Sequence, residues 1–193
     1  MAQPLTPELL LYAYQQGVFP MADPDEDNAI YWYRPDPRAI IPLNVFRVSK
    51  NLAKTVRRGV FDVTYDQAFE TVMRACANRD TTWISDEIVA VYTELHQMGC
   101  AHAVACWKDG ELVGGLYGVA LGGAFFGESM FHRVRDASKV ALVHLVEHLR
   151  ARGYVLLDIQ FSTPHLEQFG CIEIPADDYE MRLQEALMLA VTW

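Results

Sequence analysis

Residues Glu111–Lys139 read ELVGGLYGVALGGAFFGESMFHRVRDASK, and this stretch decides the fold of the chain. It predicts two strands, Leu112–Val119 and Ala124–Met130, followed by a helix. Glycine weakens a strand and often marks a bulge, or a place where a ligand or another backbone comes close. Because glycines and aromatic residues cluster here around one acid, Glu128, the stretch predicts a cleft that receives a substrate.

Strand and helix signals continue on both sides of this stretch. Asp109-Gly110 is a strong hairpin signal, and it joins a predicted strand at Ala101–Trp107 to the glycine-rich strand that follows. Downstream, a helix from Asp136 or Ala137 to Arg150 precedes a strand at Tyr154–Phe161. The other predicted elements are strands at Phe61–Tyr65 and Cys171–Ile174 and helices at Asp66–Ala77, Ser85–Met98, from Pro164 onward and at Asp177–Leu189. This order predicts an α/β (α+β) fold with a mixed sheet.

The first 36 residues differ in character from the rest. A helix is predicted from Pro7, with Thr6 as its N-cap and Gly17 at its end. An acidic loop follows Phe19, and a proline-rich segment around Asp36 resembles a linker. The sequence therefore predicts a small N-terminal domain at residues 1–36 and a main domain at residues 37–193.

Composition points to a soluble protein of the cytoplasm. The chain has 193 residues, of which 51% are hydrophobic, and no stretch is long and apolar enough for a membrane span. Four cysteines occur without a C-x-x-C pair, which predicts reduced thiols in a reducing compartment. The N-terminus lacks the basic start and apolar run of a signal peptide.

The net charge of −9 argues against indiscriminate binding of nucleic acids, but it does not exclude a local basic surface. Ser49 is a predicted helix N-cap, after which Lys50, Lys54, Arg57 and Arg58 share one face of the helix. Two interpretations stay open: a solvated helix face, or a surface that docks a phosphate backbone.

Two acids and an amide carry the possible chemistry. Asp158 and Gln160 leave the same face of a strand, roughly 7 Å apart at their Cα atoms. A buried carboxylate needs a partner, so Asp158 either caps a structural element, accepts a proton or holds an amine. Glu128 has a similar choice between an ion pair with Arg133 or Arg135 and the binding of a substrate amine.

Other common sites find little support. His144 and His148 are spaced i, i+4 on a helix, but the H-E-x-x-H order and a third ligand are not evident, so we expect no metal. The sequence contains no G-x-S-x-G, P-loop or G-x-G-x-x-G motif, which leaves serine hydrolases and the common nucleotide-binding folds without support.

Seven collinear segments resemble the motifs of the leucyl/phenylalanyl-tRNA protein transferase family. They recur in order across nearly the whole chain, so the resemblance is specific. The segments are Tyr14–Pro20, Trp32 with Pro35–Arg38, Thr82–Ile84, Leu112–Val119, Phe126–Phe131, Ala137–Lys139 and Asp158–Gln160.

The resemblance implies a small N-terminal domain followed by a domain similar to N-acetyltransferases. It implies an enzyme that moves Leu or Phe, and less often Met, from aminoacyl-tRNA to the N-terminal α-amine of proteins beginning with Arg or Lys, which marks those proteins for degradation. No metal, ATP or other cofactor is expected, and the enzyme is expected to be monomeric.

The resemblance also implies roles for individual residues. Asp158, working through Gln160, would polarise or deprotonate the attacking amine, Glu128 would orient the aminoacyl end, and Trp83 would stack on the terminal adenine. The pocket for the Leu or Phe side chain would be lined by Leu116, Phe125, Met130, Leu142 and Leu145, and Ser129 and Thr163 complete the expected substrate-binding set. Lys50, Lys54, Arg57 and Arg58 then become the expected contacts to the tRNA backbone.

Two alternative functions remain. An acyl-CoA N-acetyltransferase would share the fold, but its [QR]-x-x-G-x-[GA] loop is replaced by Arg133–Ala137, which contains no glycine. A homologue that binds tRNA or peptide with impaired catalysis is the other, because Ala103 and Ala105 stand where the family usually has Ser and Glu.

Overall fold

The computed structural model describes residues 5–193, so the first four residues of the predicted N-terminal domain lie outside it. Nine strands are described: β1 (Phe19–Asp23), β2 (Ala29–Tyr33), β3 (Arg38–Ile40), β4 (Asp62–Tyr65), β5 (Ala101–Lys108), β6 (Glu111–Leu121), β7 (Ala124–His132), β8 (Leu156–Gln160) and β9 (Ile172–Ile174). The helices are α1 (Pro7–Gln15), α2 (Lys50–Arg57), α3 (Phe69–Ala77), α4 (Asp86–Gln97), α5 (Ala137–Arg152), α6 (Pro164–Glu167) and α7 (Ala176–Leu187).

Seven of the strands form one mixed sheet in the order β4-β5-β6-β7-β8-β3-β9. The four strands from β4 to β7 are antiparallel neighbours, whereas β8 pairs with β7 in parallel after the chain has crossed over through α5. Together with the helices on both faces, this sheet confirms the mixed α/β fold that the order of elements predicts.

The β7–β8 pairing is short, and its end creates an opening in the sheet. The two strands are paired from Ala124 opposite Leu156 to Phe126 opposite Asp158. Beyond that point β7 continues to His132 beside β6, while β8 ends at Gln160. A gap therefore opens between the second half of β7 and the end of β8.

Alternating residues of the strands enter two apolar layers on the two faces of the sheet. On one face, α5 covers Val104, Leu116 and Leu157, and on the other, α3 and α4 cover alanines of β5 and Tyr117. α5 is long and almost wholly apolar where it meets the sheet, and Gly153, with φ +88°, ends it.

The N-terminal segment shares the main core. Leu10 and Tyr14 of α1 are fully buried in the layer that also contains residues of α4 and α7. The predicted acidic loop is present as an exposed turn at residues 24–27, but the loop does not begin at Phe19. β1 and β2 instead form a two-stranded sheet in which the ring of Phe19 stacks on Tyr33, with 6.1 Å between centroids. The boundary at residue 36 stays a prediction.

Candidate functional site

A cavity of about 500 Å³ lies in the gap between β7 and β8. Its size is within the range of small-molecule sites, roughly 300–1,000 Å³. Eight of the residues that the sequence singled out line it: Leu116, Glu128, Ser129, Met130, Leu142, Leu145, Gln160 and Thr163. Segments far apart in the sequence therefore meet at this one site.

The inner walls of the cavity are apolar. Leu116 of β6, Met130 of β7, and Leu142 and Leu145 of α5 contribute to them, and Leu157 and Ile159 of β8 complete them. Such walls favour an apolar group of limited size, because a polar group placed there would lose its hydrogen bonds to water.

Phe125 and Trp83 lie outside the cavity lining. The ring of Phe125 is fully buried in the core, where it stacks on Trp193 at 5.5 Å between centroids. Trp83 is half-buried against the other apolar layer, and its carbonyl oxygen accepts a hydrogen bond from the backbone N–H of Ala22 at 3.1 Å. Phe125 therefore does not line the cavity as predicted, whereas the stacking of Trp83 on the terminal adenine stays a prediction.

Asp158 is fully buried, and both of its carboxylate oxygens are occupied. Arg38 donates from Nε to Oδ1 at 2.9 Å and from Nη2 to Oδ2 at 2.6 Å. The hydroxyl of Tyr179 donates to Oδ2 at 2.8 Å, and the backbone N–H of Gln160 donates to Oδ1 at 2.9 Å. The carboxylate is thus a buried anion that is paired and fully hydrogen-bonded.

Arg38 is the main site-supporting residue that the sequence reasoning missed. Its side chain is only 1% exposed, and its guanidinium also donates to the carbonyl oxygen of Gly17 at 2.9 Å. Although burial opposes the charged form, the hydrogen bonds to Asp158 prevail and raise the pKa of Arg38. The signal was present in the sequence, because a buried acid in a strand requires a cationic partner.

Glu128 forms neither of the ion pairs that the sequence offered as alternatives. Arg133 donates to the carbonyl oxygen of Leu112, and Arg135 pairs with Asp136. Oε1 of Glu128 instead accepts hydrogen bonds from the hydroxyl of Tyr14 at 2.7 Å and from the side-chain amide of Gln160 at 3.3 Å.

The surroundings of Glu128 favour its protonated form. Burial raises the pKa of its carboxyl to about 8, and the charge of Asp158 acts in the same direction. The hydrogen bond from Tyr14 and the charge of Arg38 lower the pKa of Glu128 and offset part of this rise. A carboxyl with such a pKa exchanges a proton near neutral pH, as a general base or acid must.

Gln160 links the two acids. Its backbone N–H donates to Asp158 and its side-chain amide donates to Glu128. Its φ of +59° is in the left-handed region, which is uncommon for a residue other than glycine. Strained backbone of this kind persists only where neighbouring contacts hold it, and here the carboxylate of Asp158 supplies such a contact.

The glycines of Glu111–Lys139 serve the sheet more than the cavity. A Cβ on Gly118 would lie 2.2 Å from the carbonyl oxygen of Phe126, and one on Gly114 would lie 2.5 Å from Cβ of Ala137. Of the glycines in this stretch, Gly127 lines the cavity. The cleft that the sequence predicted therefore arises from the splayed strands, and most of these glycines permit close packing elsewhere.

The basic face of α2 is formed as the sequence predicted. Ser49 caps the helix, Leu52 is buried beneath it, and the four predicted tRNA contacts are exposed: Lys50, Lys54, Arg57 and Arg58. Among residues 5–193, no acidic side chain forms a salt bridge with any of the four. Their charge is available to an anionic partner.

One cluster of potential metal ligands lies elsewhere, at Asp66, His96 and His102. Nδ1 of His102 pairs with Asp66 at 2.9 Å, and its Nε2 contacts the carbonyl oxygen of Gly99 at 3.2 Å. Both ring nitrogens of His102 therefore already have protein partners. His148, on α5, packs its ring on Trp193 at 4.3 Å between centroids.

A family model described as leucyl/phenylalanyl-tRNA protein transferase matches residues 40–184, and the model of its N-terminal domain matches residues 3–36. Proteins named leucyl/phenylalanyl-tRNA--protein transferase are similar to the whole chain. The one from Herpetosiphon aurantiacus is 56% identical and covers 100% of both chains. The one from Gloeobacter violaceus is 58% identical over 96% of this chain and 95% of its own.

Among solved structures, a ribosomal-protein-alanine N-acetyltransferase from Brucella melitensis aligns with a TM-score of 0.42 and 15% identity, over 56% of this chain and 85% of that one. In the part of the chain from residue 5 onward, no helix has both the length and the apolar character needed to cross a membrane.

Proposed function

The chain belongs to the leucyl/phenylalanyl-tRNA protein transferase family, and from that premise we propose that it moves Leu or Phe, and less often Met, from aminoacyl-tRNA to a protein. The acceptor is the α-amine of a protein that begins with Arg or Lys, and the product carries a degradation signal. The observation that supports this proposal best is the apolar cavity between β7 and β8, which ends at Glu128 and Gln160.

The cavity binds the side chain of the transferred residue. Leu116, Met130, Leu142 and Leu145 surround a Leu, Phe or Met side chain, none of which is branched at Cβ, and select it by size. Discrimination of this kind is modest, because one methylene in an apolar pocket changes the free energy of binding by about 1–3 kcal/mol. Ser129 and Thr163, at the polar end of the walls, contact the aminoacyl ester.

The acceptor amine meets the ester at the acidic end of the cavity. The amine attacks the ester carbonyl, a C–N bond forms, and the C–O bond to the terminal ribose breaks as that oxygen takes up a proton. Asp158 acts on the amine through Gln160, whose backbone N–H donates to Asp158 and is held in place by it.

The tRNA body binds outside the cavity. Lys50, Lys54, Arg57 and Arg58 contact its phosphates, and Trp83 stacks on the terminal adenine. No cofactor takes part, since the aminoacyl ester already carries the energy of the new bond. The enzyme acts as a monomer in the cytoplasm, where charged tRNA is found.

An acyl-CoA N-acetyltransferase is disfavoured by the start of α5. Such enzymes hold a pyrophosphate on backbone N–H groups at a glycine-rich turn, whereas here Ala137 packs directly against Gly114 of β6. A binding-only homologue is disfavoured as well. Ala103 and Ala105 are at most 2% exposed in the core beneath α3 and do not line the cavity.

The test is a transfer assay. Purified protein is incubated with tRNA charged with labelled Phe, Leu, Met or Val and with peptides that begin with Arg, Lys or Ala. We expect label on the Arg and Lys peptides from Phe and Leu donors, less from Met and little from Val. Absence of transfer to every peptide, despite binding of charged tRNA, would favour the binding-only homologue.

A further inference from the structure

Both carboxylate oxygens of Asp158 are already hydrogen-bonded to other groups of the protein. Its two oxygens accept four hydrogen bonds, from Arg38, Tyr179 and Gln160, and its side chain is 0% exposed. To accept a proton from a substrate, Asp158 would have to give up one of these four bonds, and its neutral form would leave the buried guanidinium of Arg38 without a counter-ion, which is costly. The proton that the substrate amine loses is therefore expected to go to a base other than Asp158.

Glu128 has the free acceptor atom that Asp158 lacks. Within residues 5–193, the hydrogen bonds that Glu128 accepts from Tyr14 and Gln160 both reach Oε1, and no hydrogen bond of normal geometry reaches Oε2; the hydroxyl of Tyr92 is the other hydrogen-bonding group beside this carboxyl. Glu128 is only partly buried and lines the cavity, so its carboxyl group can be reached by a group bound there. A substrate amine in this cavity can approach Oε2 without breaking a contact of the protein.

We propose that Glu128, and not Asp158, accepts the proton that the acceptor α-ammonium must lose before it attacks the ester, while Asp158 is a positioning residue that acts through Arg38 and Gln160. This assignment rests on the proposed function and deepens it. The proton passes from the α-ammonium to Oε2 of Glu128 and then to solvent. The neutral amine attacks the ester carbonyl, and the second proton of the attacking nitrogen ends on the departing ribose oxygen as the C–O bond breaks.

The acidities of donor and acceptor match. The α-ammonium of a peptide has a pKa of about 7.7–8.0, and burial raises the pKa of Glu128 to about 8. Proton transfer between groups of nearly equal pKa is close to thermoneutral, and both the ionised carboxylate and the neutral amine are populated near pH 8. An ordinary exposed glutamate would be too weak a base for this step.

Two buried tyrosines hold Glu128 in place. The single hydroxyl proton of Tyr14 goes to Glu128, so in the Tyr14–Tyr92 contact the hydroxyl of Tyr92 is the donor. Burial raises the pKa of Tyr14 and of Tyr92, which keeps both as protonated donors throughout the working pH range. The other titratable groups around Glu128 or on the cavity wall are Arg38, Arg79, Tyr117, His132, Asp158 and His165, and the uncharged polar groups on the wall are Ser129, Ser138, Gln160 and Thr163.

The test measures single-turnover transfer of labelled Phe to an Arg peptide from about pH 6 to about pH 9. Glu128→Gln keeps the size of the side chain and an oxygen that accepts from Tyr14, but it cannot take up a proton. We expect its transfer rate to fall by about 100-fold or more, which is what loss of a general base costs, with the affinity for charged tRNA unchanged. Glu111→Gln, in the exposed hairpin, is the matched control and keeps the wild-type rate.

A second variant distinguishes proton transfer from a structural role. The hydrogen bond from Tyr14 lowers the pKa of Glu128, so Tyr14→Phe raises that pKa. Activity needs ionised Glu128, and the rising limb of the pH profile therefore moves to higher pH in Tyr14→Phe. The peptide amine titrates in the same way with every variant. A shift of the rising limb between variants therefore reports a change in the pKa of Glu128.

The transferase activity and the role of Glu128 as proton acceptor can fail independently in this experiment. If the wild-type protein transfers no aminoacyl group, the proposed function fails. If the wild-type protein is active but Glu128→Gln transfers at a similar rate, or Tyr14→Phe leaves the pH profile in place, Glu128 is not the proton acceptor and the proposed function stands.

Discussion

Arg38 and Asp158 form a bidentate ion pair that joins the start of β3 to the β8 strand beside the cavity, with N–O distances of 2.9 and 2.6 Å. Both side chains are at most 1% exposed. The same guanidinium donates to the carbonyl oxygen of Gly17, so the pair also fastens the end of α1. One buried contact thus connects the N-terminal segment, the main sheet and the backbone of Gln160.

Breaking this pair on one side leaves a charge buried without a partner. We expect Asp158→Asn to lower the free energy of unfolding by about 3–5 kcal/mol. We also expect it to reduce transfer, because an NH2 group in place of one oxygen cannot accept from Arg38 or Tyr179 and displaces the end of β8 that carries Gln160. Urea unfolding followed by circular dichroism measures the first effect. Replacing both partners, in the double variant Arg38→Met and Asp158→Leu, should recover much of the stability but not the activity.

The exposed ion pair between Arg74 and Glu70 is the control for this prediction. Because solvent screens exposed pairs, Glu70→Gln should leave the unfolding midpoint unchanged. Equal stability of Asp158→Asn and the wild-type protein would contradict the structural role of the buried pair.

Met130 on the cavity wall should influence which aminoacyl group is transferred. Met130→Ala removes apolar surface that a large donor side chain touches and that a small one does not reach. We expect the ratio of kcat/KM for Leu-tRNA over Ala-tRNA to fall by about 10-fold or more. Met181→Ala, at a methionine of α7 that is 61% exposed, should not change the ratio. An unchanged ratio in Met130→Ala would mean that the donor side chain binds elsewhere.

The exposed basic face of α2 should determine the salt dependence of tRNA binding. Reversing the charges of Lys54 and Arg57 should weaken binding and reduce the slope of log K against log salt by about 1 for each phosphate that the helix no longer neutralises. Arg182→Glu in α7 changes the net charge in the same direction at another exposed position and controls for it. If both variants have the same slope, α2 is a solvated face.

Gly118 and Gly127 should differ in their tolerance of a side chain. A Cβ on Gly118 would lie 2.2 Å from a backbone oxygen, whereas the nearest atom to a Cβ on Gly127 is 3.6 Å away. We expect Gly118→Ala to lower the free energy of unfolding by about 1–3 kcal/mol or more, as in overpacked cores, and Gly127→Ala to unfold near the wild-type midpoint. Thermal melts of both variants measure this difference, and similar melts would contradict it.

Most of the elements were predictable because their signals are local. The hairpin at Asp109-Gly110, the Ser85 cap of α4 and the glycine that ends α5 each depend on a few neighbouring residues. The short strands β1, β2 and β3 were not predicted. Proline signals in these segments indicate a loop, although β1 and β2 pair with each other as a local hairpin. β3 forms because β8 and β9, which are distant in sequence, lie beside it.

The sequence alone was enough for the mixed α/β fold, the family and eight of the side chains that line the cavity, because periodicity, turn residues and collinear motifs are all readable along the chain. Only the tertiary structure decided how the two acids differ. Asp158 forms an ion pair with Arg38, 120 residues away in the sequence. Glu128 accepts a hydrogen bond from Tyr14, 114 residues away, through one of its two oxygens. Burial and long-range pairing set the charge state of a carboxyl group, and neither is a property of the local sequence.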